Sequence, residues 1–355
     1  MSDTLNNCNK LEQMLFSSPS SDFPQFSSAY EANSKPFCER YDLLKTKLGD
    51  KHDNVEIGAL LASAKKGVPY DSLVYLNQHG KGHIEVVMNR AAKLVDIIQD
   101  PHRLTGFELF LLCCAIQIHD IGNISGRENH TVSFRSEFFR IAPECFITEP
   151  GLKEMIFSIA CVHGGIIKGD NDTISQLYRK ATLLDQDVRP QLLAAILRFA
   201  DELADDCTRA KELDEMPGDS KIFHAYSKTL HTVSIKRNEY NDAYHVYLCY
   251  YLSQEEATQR YKRRNKKEIS LIEEILNRME KTECERRYCV RFLLPHIVIT
   301  EVKVDIGVQF PNEISLRNHV YTLSESGYPS ARNIIQDRER MRIIQEVTGR
   351  GVNSI

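Results

Sequence analysis

The fold is decided by the stretch FELFLLCCAIQIHDIG, residues 107–122. Residues 107–118 are apolar on nearly every side, which predicts a helix buried in a core rather than one that faces solvent. His119 and Asp120 follow directly, and burying them is costly unless something compensates them. A divalent cation does so by binding imidazole nitrogen and carboxylate oxygen. Gly122 is predicted to end the helix as a left-handed cap.

The composition is that of a globular chain. Its 355 residues are 42% hydrophobic and 26% charged, and the formal net charge is -4. This length exceeds what one compact core usually holds, so one large helical domain and a smaller second domain are predicted. The net negative charge argues against non-specific coating of nucleic acid, although local basic patches stay open.

Neither a targeting signal nor a membrane span is predicted. The N-terminal residues MSDTLNN lack a basic region followed by an apolar one, and the apolar run that ends at Ile118 is shorter than a bilayer requires. The ten cysteines are scattered without a Cys-x-x-Cys pair. These features predict a cytoplasmic protein in a reducing environment, with no membrane partner.

Further helices are predicted on both sides of the buried stretch. Apolar residues at steps of three and four follow His83, so a helix begins near it and stops at Asp100-Pro101. Thr105 is the predicted N-cap of the buried helix. Pro190 suits the first turn of a later helix whose apolar face surrounds Asp201.

The pattern changes towards the C-terminus. Residues 1–40 are rich in Ser and Asn and predict a poorly ordered or loosely packed lead-in, and residues 41–211 predict the helical domain. Residues 212–355 predict an α+β appendage, because β-branched and aromatic segments surround a charged helix. These segments are strands at 232–235, 244–250 and 297–304, a hairpin turn at 238–242 and a final helix at 330–347. The predicted fold class is mainly α with a smaller α+β appendage.

Four side chains form a candidate metal site. His83, His119, Asp120 and Asp201 each lie at the end or on the inner face of a predicted apolar helix. Helices packed side by side would bring these imidazoles and carboxylates to one point. Mixed His and Asp ligands suit Mn, Mg, Fe, Co, Ni or Zn as the divalent ion, and its expected task is to make hydroxide available near neutral pH.

These elements resemble a known family. The order of His83, then HDIG at 119–122, then Asp201 within LRFADELA at 197–204 resembles the HD-domain superfamily of metal-dependent phosphohydrolases. The resemblance covers about residues 75–211. It implies a helical bundle, hydrolysis of phosphomonoesters or phosphodiesters, and His83, His119, Asp120 and Asp201 as metal ligands.

Two more histidines extend the resemblance. His130 follows a Gly-containing loop after the His-Asp pair, which resembles the catalytic histidine of deoxynucleoside triphosphate triphosphohydrolases. His163 resembles the later histidine of two-metal members. Either is expected to ligate a second ion, or His130 to act as general acid for the leaving group, while Asp120 takes part in catalysis as well as in metal binding.

The chain also departs from the patterns of several subfamilies. Residues 161–165 are not followed by the Gly-Tyr-Pro of cyclic-dinucleotide phosphodiesterases, and residues 121–124 lack the Glu-Asp pair of alarmone hydrolases. The triphosphohydrolases usually carry Pro-Phe-Gly-His after the pair and an Arg three residues before the first ligand. This chain has Ser125-Gly126 and Gly80 at those places.

Several side chains are candidates for substrate contact. Four basic residues lie beside the predicted ligands in sequence: Lys81, Arg127, Lys168 and Arg209. Such cations hold phosphate oxygens, and Arg does so through a bidentate fork. His79 precedes the first ligand, and Asp205 falls one helical turn after Asp201, where it would orient a ligand or base. An ordinary surface or loop position is the alternative for each.

Three functions follow as hypotheses. The preferred one is hydrolysis of deoxynucleoside triphosphates to nucleoside and tripolyphosphate. The alternatives are a phosphodiesterase or nuclease on cyclic or short single-stranded nucleic acid, and a nucleotide-sensing subunit without turnover. The basic run KRRNKK, residues 262–267, is predicted to begin a charged surface helix, with binding of nucleic acid or a regulatory nucleotide as the alternative. A homo-oligomer is expected, because the appendage offers strand edges.

Overall fold

The computed structural model describes residues 8–25, 35–69, 73, 76, 78–126, 130–164, 169–211, 218–262, 267–324, 335 and 337–349. The chain divides into two compact units. The first consists of Met1–Ala62 and His79–Asp201, and the second of Ser63–Gln78 and Glu202–Ile355. The predicted fold class, mainly α with a smaller α+β part, is confirmed.

The first unit is helical, with one small hairpin in its described part. Its helices and strands are α1 Lys10–Phe16, α2 Phe37–Lys65, α3 Lys81–Ile97, α4 Gly106–Ile118, α5 His130–Ser133, α6 Arg135–Ile141, α7 Pro150–Cys161, β1 Ala181–Leu183, β2 Gln186–Val188 and α8 Pro190–Glu202. The last residue of α8 and the last three of α2 fall in the second unit. The buried helix predicted from residues 107–118 is α4.

Helix α4 forms the centre of the first unit. Every residue from Gly106 to Ile118 is buried, and α1, α3 and α7 pack around it. Its first turn is closed by the predicted cap, since the Thr105 hydroxyl accepts from the Glu108 amide and the Glu108 carboxylate accepts from the Thr105 amide, each at 3.2 Å. Glu108 is buried but paired, because Arg189 donates to it at 2.6 Å.

The N-terminal segment differs from its prediction as a loosely packed lead-in. In the described part of residues 1–40, α1 is closed by a capping box at Asn9, and Leu11 and Leu15 are fully buried. Tyr41 donates to Glu12 at 2.6 Å. The surrounding serines and prolines obscure the helical pattern in the sequence, because the helix is only 7 residues long.

By length and composition only, the stretch Gly106–Ser125 is able to cross a membrane, and it is longer than the apolar run ending at Ile118 that was considered too short. It reaches this length because a 3-10 turn, Ile121–Ser125, follows α4 after two residues. Within the first unit, 94% of its most apolar window is buried. Its apolar surface is therefore already covered by the protein core.

The second unit contains a four-stranded sheet and helices. Its elements are α9 Gly218–Thr229, β3 Leu230–Arg237, β4 Tyr244–Ser253, α10 Gln254–Thr258, β5 Arg260–Lys262, β6 Glu268–Ser270, α11 Leu271–Leu293, β7 Ile299–Gln309, β8 Arg317–Ser324 and α12 Asp337–Thr348. The strand order is β3-β4-β7-β8, in which β4 and β7 are parallel and the outer pairs are antiparallel. The parallel pair requires a crossover, which α11 supplies.

The predicted strands and final helix of the appendage correspond to β3, β4, β7 and α12, whereas β8 was not predicted. The basic run does not begin a helix as predicted, because Lys262 ends β5 and α11 starts only at Leu271. Ser270, rather than a residue of the basic run, caps α11, and its side chain pairs with Glu273 in a capping box. Residues 263–266 lie outside the described part of the chain.

Candidate metal centre

Three helices of the first unit bring the four predicted ligands together. His83 lies in the first turn of α3, His119 and Asp120 directly follow α4, and Asp201 lies in the last turn of α8. One ligand atom from each of the four lies within 4.8 Å of all the others. The apolar faces of these helices pack in the core, and this packing fixes the position of the ligands at the helix ends. These four side chains are called the first group below.

The two imidazoles of the first group point at both carboxylates. His83 Nε2 lies 3.1 Å from Asp201 Oδ1 and 3.5 Å from Asp120 Oδ2. His119 Nε2 lies 3.7 Å from the same Asp201 oxygen and 3.6 Å from the same Asp120 oxygen. One oxygen from each carboxylate therefore faces the same two ring nitrogens.

The donor atoms of this group fit a metal ion. His83 Nδ1, His83 Nε2 and His119 Nε2 are buried and form no hydrogen bond in the described structure. Buried polar atoms are otherwise almost always satisfied, and the two Nε2 atoms, which face the carboxylates of Asp120 and Asp201, are placed to bind a cation between them. His119 Nδ1 bonds the Ile116 carbonyl at 2.8 Å, which turns Nε2 towards the carboxylates, as is usual for metal-binding histidines. The cluster is thus able to bind a divalent metal ion.

A second group shares Asp120. The other carboxylate oxygen of Asp120, Oδ1, lies 3.6 Å from His163 Nε2 and 3.8 Å from His130 Nε2. Ligand atoms of Asp120, His130 and His163 also lie within 4.8 Å of one another. His163 Nδ1 bonds the Ala160 carbonyl at 2.6 Å and so directs Nε2 inward. Asp120 thus presents one oxygen to each group.

Burial and mutual charge shift the pKa values of His119, Asp120 and Asp201. Burial lowers the pKa of His119, but the carboxylates of Asp120 and Asp201 outweigh it and raise that pKa to about 9. Burial favours the neutral carboxyl of Asp120 and Asp201, yet the nearby histidines hold the pKa of both well below its usual range. Both carboxylates are therefore ionised at neutral pH, as metal binding requires.

Neighbouring residues support Asp120 and the turn that carries it. The Asn123 amide donates to Asp120 Oδ1 at 2.8 Å and to the Asp120 carbonyl at 3.0 Å. Gly122 does not adopt the predicted left-handed conformation; its role is steric, since a Cβ there would lie 1.8 Å from the His130 carbonyl oxygen. His52 Nε2 bonds the Gln117 carbonyl at 2.7 Å, close to the end of α4.

The residues of the first unit that were predicted to contact substrate lie in different surroundings from one another. His79 Nε2 lies 3.9 Å from Asp120 Oδ2, so this histidine borders the first group. Lys81 is exposed and pairs with Asp53 at 2.6 Å. Arg127 and Lys168 lie outside the described residues. A role in substrate binding stays a prediction for all four.

Asp205 and Arg209 belong to the second unit. Asp205 does not continue the Asp201 helix as predicted, because α8 ends at Glu202. Its carboxylate accepts from Ser227 at 3.0 Å and lies 3.9 Å from Arg209 Nη1. Their proposed contacts with substrate stay predictions.

Sequence reasoning missed four residues around the site: Asn123, His52, Thr173 and Arg198. Only Asn123 carried a local signal, because it lies in the stretch HDIGN directly after the His-Asp pair. His52, Thr173 and Arg198 act through backbone carbonyls distant in sequence, so no spacing reveals them.

The comparisons with known proteins give a single family. The family HD-CE matches residues 70–280, more than half of the chain. No curated protein and no solved structure gives a significant match. The matched range contains both groups of ligands, and it agrees with the predicted resemblance to HD-domain proteins without identifying a substrate.

Proposed function

The chain belongs to the HD-CE family, and on that premise we propose that it is a metal-dependent phosphohydrolase acting on nucleotides. The observation that carries the proposal is the position of Asp120, with Oδ2 facing the imidazoles of His83 and His119 and Oδ1 facing those of His130 and His163. Such a carboxylate is able to bridge two cations. When bound, the ions supply Lewis acidity and hydroxide at neutral pH.

The side chains of the site have different roles in this proposal. His83, His119 and Asp201 hold the first cation, and Asp120 orients both cations. The His130 side chain is 21% exposed, whereas those of His83 and His119 are fully buried. His130 therefore lies where a substrate can reach it, and it either holds the second cation or donates a proton from Nε2 to the leaving oxygen.

Deoxynucleoside triphosphates are the first substrates that we propose, with nucleoside and tripolyphosphate as products. The support for this choice is the position of His130 after the His-Asp pair. His79, beside Asp120 Oδ2, would contact the phosphate chain. Lys81 and Arg127 would neutralise charge on its oxygens.

A phosphodiesterase is the second candidate, and the second group favours it. Two cations held by a shared carboxylate stabilise both the attacking and the leaving oxygen of an in-line displacement, which suits cleavage of cyclic or short single-stranded nucleic acid. A nucleotide-sensing subunit that binds without turnover is the third candidate. We further propose a cytoplasmic homo-oligomer that does not bind membranes and that takes up a regulatory nucleotide.

A product assay separates these candidates. The full chain is incubated with each of Mn²⁺, Mg²⁺, Co²⁺, Ni²⁺, Zn²⁺ and Fe²⁺, and with deoxynucleoside triphosphates or with cyclic and linear oligonucleotides. Tripolyphosphate supports the first candidate, and nucleoside monophosphates support the second. Metal binding without turnover of any of these substrates contradicts the hydrolase and leaves the sensor. Asp120→Asn should abolish turnover, while Asp242→Asn, at an exposed hairpin, is the matched control.

A further inference from the structure

The backbone on both sides of His163 is tied to the helix that carries Asp201. The Thr173 hydroxyl lies 3.0 Å from the Val162 carbonyl and 3.2 Å from the Gly164 carbonyl. Arg198 Nη1 donates to the Gly164 carbonyl at 3.1 Å and to the Thr173 hydroxyl at 3.0 Å. We call Thr173 and Arg198 together the carbonyl clamp.

The carbonyl clamp is buried. Thr173 is fully buried and Arg198 is 6% exposed. Hydrogen bonds from a charged donor are stronger than neutral ones, and in a low-dielectric interior they resist displacement. Arg198 lies one helical turn before Asp201 on α8, so the clamp connects a ligand of the first group with the chain around a ligand of the second.

The clamp completes the orientation of His163. Helix α7 ends at Cys161, and beyond it the His163 amide makes a turn bond to the Ala160 carbonyl at 3.3 Å in place of a regular helical bond. The bond from His163 Nδ1 to the Ala160 carbonyl fixes the rotation of the ring, but not the position of the backbone. The clamp fixes that position through the carbonyls of Val162 and Gly164, so that Nε2 lies 3.6 Å from Asp120 Oδ1.

We propose that Thr173 and Arg198 are positioning residues that hold His163 in place to bind a second divalent cation against Asp120 Oδ1. This inference rests on the proposed function in so far as the site binds metal. The position of the second cation would depend on the clamp, whereas the position of the first cation would depend on the helix ends of α3, α4 and α8. Loss of the clamp therefore weakens the second cation selectively.

The test uses Mn²⁺ as probe, with calorimetry for stoichiometry and electron paramagnetic resonance for the spin coupling of a bridged pair. Wild type should bind two Mn²⁺ and give a coupled spectrum. Thr173→Val removes the hydroxyl at nearly constant volume and should weaken the second Mn²⁺ by about 10- to 100-fold, as loss of ligand-supporting bonds typically does. The first Mn²⁺ should keep its affinity and give an uncoupled spectrum.

Three further variants separate positioning from general stability. Thr173→Ser keeps the hydroxyl and should restore the coupled spectrum. Thr229→Val removes a buried hydroxyl that bonds the Tyr226 carbonyl in the second unit, and should leave both Mn²⁺ ions in place. Arg198→Lys keeps the charge but removes the guanidinium Nη1 that makes both clamp bonds, and should reproduce the selective loss if Thr173→Val does not fold.

The outcomes are distinct for the two proposals. If Thr173→Val and Arg198→Lys both bind the second Mn²⁺ as tightly as wild type, the clamp proposal is overturned. It is also overturned if wild type binds only one Mn²⁺. A wild type that binds two coupled ions but hydrolyses no nucleotide overturns the proposed function alone. A wild type that binds no Mn²⁺ overturns both.

Discussion

The two groups of ligands that meet at Asp120 are built in different ways. His83 lies in the first turn of α3, whose apolar face is buried, and His119 directly follows α4, which is buried throughout; both side chains are fully buried. His130 begins a helix of only four residues, and His163 follows the end of α7. The first group is therefore held mainly by packed helices, whereas the position of His163 in the second group depends on hydrogen bonds to the backbone carbonyls around it.

This difference predicts unequal robustness. Packed helix ends resist small changes, because displacing them disturbs the whole core. A ligand held by a few hydrogen bonds loses its position when one donor is removed. We expect the first cation to survive most substitutions around the second group, while substitution of Asp120, the residue that both groups share, should remove both cations.

The largest effect is expected for Asp120→Asn. It removes a charge that both groups use, so both Mn²⁺ affinities should fall by at least about 100-fold, more than for loss of a supporting residue. Calorimetric titration measures this, with Asp242→Asn as control. Retention of one tight Mn²⁺ would show that the two groups do not share Asp120.

Substitution of one histidine from each group should separate them. His83→Ala should abolish tight binding of the first Mn²⁺, because it removes one of the two imidazoles that face both Asp120 and Asp201. His163→Ala should leave one Mn²⁺ bound and remove the coupled spectrum. Equal losses in both variants would mean that the groups act as a single site.

His130→Gln tests whether this residue is a ligand or a general acid. If it acts as the acid, Mn²⁺ stoichiometry stays at two and kcat falls by about 10²- to 10⁴-fold for a substrate with a poor leaving group. A p-nitrophenyl phosphate ester, whose leaving group needs no proton, should then be hydrolysed by the variant nearly as fast as by wild type. If His130 is a ligand, the second Mn²⁺ is lost and both substrates slow down equally.

Metal affinity should depend on pH through His119. Its pKa of about 9 lies above the usual value, so a proton occupies the ring at pH 7 and a cation must displace it. Affinity for the first Mn²⁺ should therefore rise by about tenfold per pH unit between pH 7 and 9 and level off above. Calorimetry at pH 7 in buffers of different ionisation enthalpy should report about one proton released per first ion. A flat profile contradicts this coupling.

The last effect concerns the stability of the fold rather than metal binding, through the support of α4 by His52. Burial is the main cause that lowers the pKa of His52 to about 4 from its usual value of 6.5. The neutral ring is thus favoured in the folded state, so this stability is fully present above pH 6.5 and is lost as pH falls towards 4. The shift corresponds to about 3 kcal/mol.

His52→Gln, whose side-chain amide can still donate to the Gln117 carbonyl, should flatten the pH dependence of the free energy of unfolding between pH 4 and 6.5. Urea unfolding at several pH values measures it. An unchanged slope in the variant would assign the acid sensitivity to another residue.

Much of the first group could be predicted from the sequence, and much of its surroundings could not. Residues 107–118 are apolar on every side, which predicts a buried helix. His119 and Asp120 then fall at its end. The helix α1 within the lead-in was not predicted, because it is too short for the periodicity to stand out.

The sequence by itself determined the helical core, the first group of ligands and the strands with regular alternation, because hydrophobic periodicity is a local property of the chain. The tertiary structure alone decided that Asp120 faces both groups, that Gly122 is needed for close approach and that Thr173 and Arg198 hold the chain around His163. These features depend on backbone carbonyls brought together from distant segments, and every residue type carries such a carbonyl, so no sequence pattern marks them.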